Sequence, residues 1–145
     1  MIAVESNVLI YAHKEGARDH AAAARAVDGL LFDASPWAIP LPCLHEFYGI
    51  VTHPRIYSPP STPAQAFDQI DAWMEGGAVL IGEASDHLHR LRDLVLAGHV
   101  VDGMVHNAKV AAICLSHGIS ELWTADRDFT RFPALKTRNP LVAAG

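Results

Sequence analysis

The run from Met104 to His117 constrains the fold more than any other stretch of the chain. Val105, Ala108, Val110 to Leu115 and Met104 itself make it apolar nearly all round, and a helix of that kind must be buried on most sides. Gly118 stops it, and the β-favouring pair Leu122 and Trp123 follows. A buried helix feeding a short apolar strand reads as a crossover into a parallel sheet, and such crossovers are short and right-handed. The strand discharges into Thr124, Asp126 and Asp128. Ligand sites of open parallel sheets lie beyond the carboxyl ends of strands, where an acidic pair suits a hard cation. Asp also bonds its own backbone locally, so shaping a turn stands as the equal alternative for both residues.

The rest of the chain repeats this alternation. Met1 to Val4 is a short strand ended by Glu5, after which Ser6 or Asn7 caps a helix through the apolar VLIYA. Arg18 to Phe32 is an Ala-rich helix, and Trp37 to Ile39 a strand held between Pro36 and Pro40. After Pro42, Leu44, Phe47, Tyr48 and Val51 recur at helical spacing. Glu46 lies among them, and a carboxylate there either faces solvent or needs a partner or cation. His53 and Pro54 end this helix, and Ile56 to Ser61 is a Pro/Ser-rich loop. Thr62 and Pro63 open a helix whose apolar face is Phe67, Ile70, Trp73 and Met74, with Gly76 and Gly77 as its stop. Val79 to Ile81 is a further strand, and Ser85 to Leu96 an amphipathic helix through Leu88, Leu91, Val95 and Leu96, ended by Gly98. Strands alternating with helices give an α/β class, specifically a three-layer α/β/α sandwich with a mainly parallel central sheet.

A length of 145 residues suits one domain, 1–145, with a core that needs no metal or disulfide. Cys43 and Cys114 lack the clustered spacing of a zinc site and read as reduced core residues, which points to the cytoplasm. The chain begins directly with a strand, without a basic leader, and has no apolar run near the roughly 20 residues of a membrane span. Neither secretion nor membrane insertion is expected. The net charge of −5 excludes a simple basic nucleic-acid glove. Arg127, Arg131, Lys136 and Arg138 nonetheless follow the acidic turn closely, either as a solvated face or as a cationic rim for a phosphodiester backbone. The nine His residues show no metalloprotease spacing, only His106 stands beside the acidic residues, and there is neither a Gly-x-Ser-x-Gly elbow nor a Gly-rich phosphate loop.

Glu5 and Asp126 end strands, Glu46 sits on a helix that follows one, and Asn107 opens the helix that leads to another. In a doubly wound sheet these four places meet around one cleft. Acidic groups held together repel unless a divalent cation or shared protons offset the charge. Mg²⁺ prefers oxygen ligands and takes a couple of carboxylates plus substrate phosphates. Ser6 and Thr124 either bond ligands and site waters or serve as simple caps.

The segments MIAVESNVLIYAH, PWAIPLPCLHEFYGIVTHPRIY, VHNAKVAAICLSHG and ELWTADRDFTRFPALKTRNP, in that order over nearly the whole chain, resemble a PIN domain of the VapC toxin branch. The resemblance implies a Mg²⁺-dependent endoribonuclease, with Mn²⁺ able to substitute. It also implies a homodimer and a VapB-like antitoxin as partner. Carried onto this chain, it makes Glu5, Glu46, Asn107 and Asp126 the metal and catalytic residues, with Asp128 as an outer ligand and Ser6, Asn7 and Thr124 in support. Two positions depart from the family pattern: Glu5 and Asn107 stand where Asp is typical. Glu5 keeps the charge but moves the carboxylate by about an ångström, a displacement that can cost about 10²-fold in rate. Asn107 keeps an oxygen but loses the charge and cannot act as a base. Weakened cleavage follows, with Asp102 in the preceding loop as a substitute ligand; the competing expectation is an inactive PIN-like protein that binds antitoxin or RNA. Phe67, Trp73 and Tyr57 are the candidate dimer face.

Overall fold

The computed structural model describes residues 1–33 and 35–142. Its strands are β1 (Ile2–Val4), β2 (Trp37–Pro40), β3 (Ala78–Ile81), β4 (Glu121–Trp123) and β5 (Thr137–Arg138), in one sheet of order β3-β2-β1-β4-β5. Every pairing in it is parallel. The helices are α1 (Ser6–His13), α2 (His20–Phe32), α3 (Leu41–Val51), α4 (Pro63–Glu75), α5 (His87–Gly98) and α6 (Val105–Ser116). Right-handed crossovers place α1 to α4 over one face and α5 and α6 over the other, and α1 packs on α2 and α3 while α5 packs on α6. This is the three-layer α/β/α sandwich that the alternation predicts. From β1 the chain winds outward through β2 and β3, then returns to the far side of β1 to form β4. The strand order therefore switches between β1 and β4, and the carboxyl ends of those strands open onto the crevice where such sheets bind ligands.

Local chemistry accounts for the elements. β2 is buried at all four positions, as befits an apolar run inside a parallel sheet. α6 buries Ala108 and Val110 to Cys114. Thr62 and Gln65 form a reciprocal capping box at the start of α4, with Pro63 at its first position. Trp37, Trp73, Phe47, Phe129 and Phe132 are the largest fully buried side chains, each contributing about 1.5–3 kcal/mol by leaving water. Among the described residues no helix is long and apolar enough to cross a membrane.

Several expectations need correction. The N-cap of α1 is Glu5, not Ser6 or Asn7: Glu5 is extended and its side chain accepts from the amide of Asn7 at 3.4 Å. Ser6 and Asn7 thus enter the first helical turn with their side chains released for other partners. α5 starts at His87 and buries none of its residues. Leu88 and Leu96 are exposed, and the face turned to the core is Leu91, Leu94 and Val95. Gly98 is its last residue, and His99 beyond it takes the left-handed conformation at φ 49°. Trp73 is buried edge-on against Phe47 and is withdrawn from any dimer face, whereas Phe67 is exposed beside Tyr48. β5 is too short and polar to show in the sequence; it is held because the amides of Leu122 and Thr124 donate to Lys136 O and Arg138 O, each at 2.9 Å.

Candidate active site

The first half of the site is built where β1 becomes α1. Glu5 is 7% exposed and Ser6 fully buried. Ser6 Oγ lies 2.7 Å from Glu5 Oε1 and 2.8 Å from Glu46 Oε1, so one hydroxyl on α1 ties the strand-end carboxylate to the carboxylate on α3. A serine hydroxyl has one proton to donate. Two carboxylates therefore compete for a single hydrogen, and a shared proton or a bound cation is what offsets their charge. Burial raises the Glu5 carboxyl above its ordinary range; the bonds from Ser6, the Asn7 amide and Thr124 pull it back, and nearby Glu46 adds to the rise.

The second half lies at the end of β4. Thr124 Oγ1 donates to Glu5 Oε2 at 3.2 Å and accepts from Asn7 Nδ2 at 3.3 Å and from the Asp126 amide at 3.0 Å. Asn7 Oδ1 accepts from the Ala125 amide at 3.2 Å, clamping the post-strand turn to α1. Asp126 takes the turn-shaping role and also faces Asn107. Its Oδ1 shapes the turn by accepting from the Asp128 amide at 2.8 Å, and its Oδ2 accepts from Asn107 Nδ2 at 3.1 Å. Glu5, Ser6, Asn7, Glu46, Asn107, Thr124 and Asp126 thus form two side-chain groups at the switch point, one around Glu5 and one of Asn107 with Asp126, joined by the Asp126 amide on Thr124.

A cleft of about 250 Å³ opens onto this arrangement, lined by Glu5, Cys43, Glu46 and Asn107 together with His45, His106 and Lys109. Cys43 supplies no nucleophile there, because burial pushes its thiol well above the usual range and Glu5 adds to the rise. The donors offered by Glu5, Glu46, Asn107 and Asp126 are all oxygen, as a hard cation requires. Among the described residues no three His, Cys, Asp or Glu side chains gather as a ligand set. What fits is the smaller protein share that Mg²⁺ takes, one or two carboxylates with water and substrate completing its shell.

No family model matches the chain. It is 31% identical over 142 residues to the VapC ribonuclease Mb2897 of Mycobacterium bovis and to ribonuclease VapC43 of Mycobacterium tuberculosis, covering 97% of this chain and 96% of each relative. The chain belongs to the VapC ribonuclease family. Ribonuclease VapC48 of Mycobacterium tuberculosis is 28% identical over 137 residues, 92% of this chain and 93% of that relative. The VapC fold recurs in solved structures at low identity. VapBC2 from Rickettsia felis, bound to a DNA fragment from its promoter, superposes with TM-score 0.69 at 18% identity, covering 96% of this chain and 98% of that one. VapC20 of Mycobacterium tuberculosis, a sarcin-ricin loop cleaving toxin, gives TM-score 0.63 at 17% identity, over 90% and 93% of the two chains.

Other candidates in this VapC chain stand apart from the two groups. Asp128 is exposed, and among the described residues its carboxylate has no hydrogen-bond partner and does not line the cleft. Asp102 is exposed in a 3₁₀ turn with φ 54° and does not line the cleft either. Arg127 is exposed beside Asp126. The remaining cations are engaged: Arg131 Nη1 donates to Gly98 O at 3.3 Å, Lys136 pairs with Glu121 at 3.4 Å, and Arg138 stacks over Trp123 at 5.4 Å. Besides His106, the histidine expected beside the site, His45 lines the cleft as well. Its signal was adjacency to Glu46, and that of Lys109 was a charge inside an otherwise apolar helix.

Proposed function

We propose that this chain is a toxin ribonuclease of a VapBC-type pair, a Mg²⁺-dependent endonuclease on RNA whose cleavage is weakened by Glu5 and Asn107. The observation that carries this reading is the one Ser6 hydroxyl oxygen lying 2.7 and 2.8 Å from two carboxylates, a crowding of negative charge that a hard cation would offset. Glu5 and Glu46 would hold the ion, with the Asn107 side-chain oxygen and Asp126 as further ligands; Asp128 would act through water, and Asp102, outside the cleft, would substitute only by a movement of its turn. When bound, Mg²⁺ lowers the pKa of an attacking water and stabilises the leaving oxygen on phosphorus, and Mn²⁺ substitutes for it. Ser6 and Thr124 fix the Glu5 carboxylate from both sides, and Asn7 holds the turn that carries Asp126. Arg127, Arg131, Lys136 and Arg138 guide the RNA outside the cleft. The protein works in the cytoplasm as a homodimer, and a VapB-like antitoxin restrains it; the Rickettsia felis VapBC2 structure, which shares this fold, supports such a partner.

One contact favours a second reading, a PIN-like protein without cleavage that binds antitoxin or RNA. Asn107 already donates an amide hydrogen to Asp126 Oδ2, so the carboxylate on that side is satisfied without a cation. Restoring both positions with Glu5→Asp and Asn107→Asp, and measuring RNA cleavage in Mg²⁺ and Mn²⁺ with metal affinity by calorimetry, separates the readings. The first expects slow cleavage by the natural chain and a gain of about 10–100-fold in metal affinity on restoration. Equal activity before and after restoration refutes the weakening. No metal binding by the natural chain at millimolar concentration favours the second reading.

A further inference from the structure

A cleft lined by Glu5 and Glu46 repels the polyanion it is proposed to cut. Some fixed positive charge must stand at its edge. Among the described residues, Lys109 is the only lysine or arginine lining the cleft, and it has no carboxylate within 4 Å. It projects from α6 two positions beyond Asn107, partly buried, while three of the four cations after Asp126 are occupied with Gly98 O, Glu121 or Trp123. A second hollow of about 170 Å³ adjoins the first and shares Pro42, His45 and Lys109 with it before ending at Gly82 and Glu83. Lys109 therefore stands on the saddle of one trough, with the acidic cleft on one side and an uncharged floor of Leu41, Pro42 and Ile113 on the other.

We propose that Lys109 binds a backbone phosphate of single-stranded RNA adjacent to the scissile one, so that the strand leaves the acidic cleft over the α3/α6 saddle toward Gly82. This rests on the ribonuclease reading above and adds the path of the strand. The first cleft, of about 250 Å³, and the second hollow meet at Lys109, so a phosphate held by Lys109 adjoins one held in the acidic cleft. Glu83 closes the far end of the trough, which limits the strand to one phosphate on the saddle before it turns to solvent. A lysine suits this task as a point charge on a flexible stem, without need of bidentate geometry.

The test is the binding of a fluorescently labelled single-stranded oligoribonucleotide, followed by anisotropy in EDTA across a salt series, so that cleavage and metal binding do not enter. Lys109→Met is expected to weaken binding several-fold at low salt and to reduce the slope of log K against log salt by about 0.7, the value for one phosphate contact on a single strand. Lys109→Arg should restore both, and Arg90→Met, an equal loss of charge at a site paired with Asp86, should change the slope less. Unchanged affinity in Lys109→Met overturns the proposal, as does an equal effect of Arg90→Met or a natural chain that binds no RNA at low salt. Circular dichroism of each variant shows that the fold is retained, and Lys109→Gln, which loses the same charge, carries the test if Lys109→Met is misfolded. The ribonuclease reading fails separately, by absence of cleavage in Mg²⁺ by the restored chain.

Discussion

The two ends of α1 use the same device to opposite effect. At its start, Ser6 bridges Glu5 and Glu46 at 2.7 and 2.8 Å; at its end, His13 bridges Ser61 Oγ through Nε2 at 2.8 Å and Gln69 Oε1 through Nδ1 at 3.0 Å. The His13 bridge balances. Gln69 Oε1 can only accept, so Nδ1 carries the proton, and Nε2 is left to accept from the Ser61 hydroxyl. Phe47 packs edge-on to the ring, and the Ser61 amide is itself bonded to Val51 O at 2.8 Å. The Ser6 bridge does not balance, because two carboxylates face one proton. A balanced buried network is a staple that fixes the Pro-rich loop to the helix; an unbalanced one is held for something that binds.

The contrast is most exposed by removing one member of each bridge. Glu46→Gln neutralises the exposed partner of Ser6 and should leave stability nearly unchanged while lowering RNA cleavage by about 10²–10³-fold, read as single-turnover rate and as melting temperature. Cleavage that survives this change would make the Ser6 bridge a staple like the other. His13→Ala should do the reverse: it leaves the Ser61 hydroxyl and Gln69 without their partner and costs about 1–3 kcal/mol in urea unfolding, with the cleavage rate per folded molecule retained. A smaller effect at the same end comes from Thr62→Ala. Thr62 follows Ser61 and caps α4 in a box with Gln65, so its loss should cost about 1 kcal/mol and loosen the loop without touching the acidic cleft.

How much of this could be read beforehand divides along the same line. The alternation of strands and helices, the parallel sheet and the buried α6 follow from periodicity, which registers in any window of the chain. That Glu5, Glu46 and Asn107 line one cleft follows from topology, since Glu5 ends a strand, Glu46 rides the helix that follows one and Asn107 opens a helix; Asp126 also follows a strand but does not line that cleft. Hidden from the sequence were the features set by side-chain direction. Whether Glu5 or Ser6 caps α1 depends on one residue's ψ. Which leucines of α5 face inward depends on how that helix docks, and Leu88 shares the spacing of Leu91 yet points to solvent. The His13 bridge joins residues 48 and 56 positions apart, with no local pattern to announce it. β5 is two residues long and owes its existence to its neighbour's free amides and carbonyls.

The finest test of the contrast uses pH, because only the balanced bridge depends on a neutral imidazole. Burial lowers the His13 pKa below its ordinary 6.5; the bond to Gln69 pulls it partly back, and nearby Lys14 adds to the lowering. Below 6.5 the unfolded chain therefore binds a proton at this residue that the folded chain resists, and stability falls as pH falls. The contribution is complete above the unfolded value and is lost through the window beneath it. His13→Gln has no such window. The advantage of the natural chain over His13→Gln in urea midpoint should thus be largest at pH 7.5 and shrink toward pH 5, while other histidines act on both proteins alike. A gap that stays constant with pH would mean that the imidazole stabilises the loop through shape alone, as its contact with Phe47 could do without Ser61 and Gln69. A gap that widens in acid would require the charged ring to be favoured in the fold, and the balance drawn at this end of α1 would then be wrong.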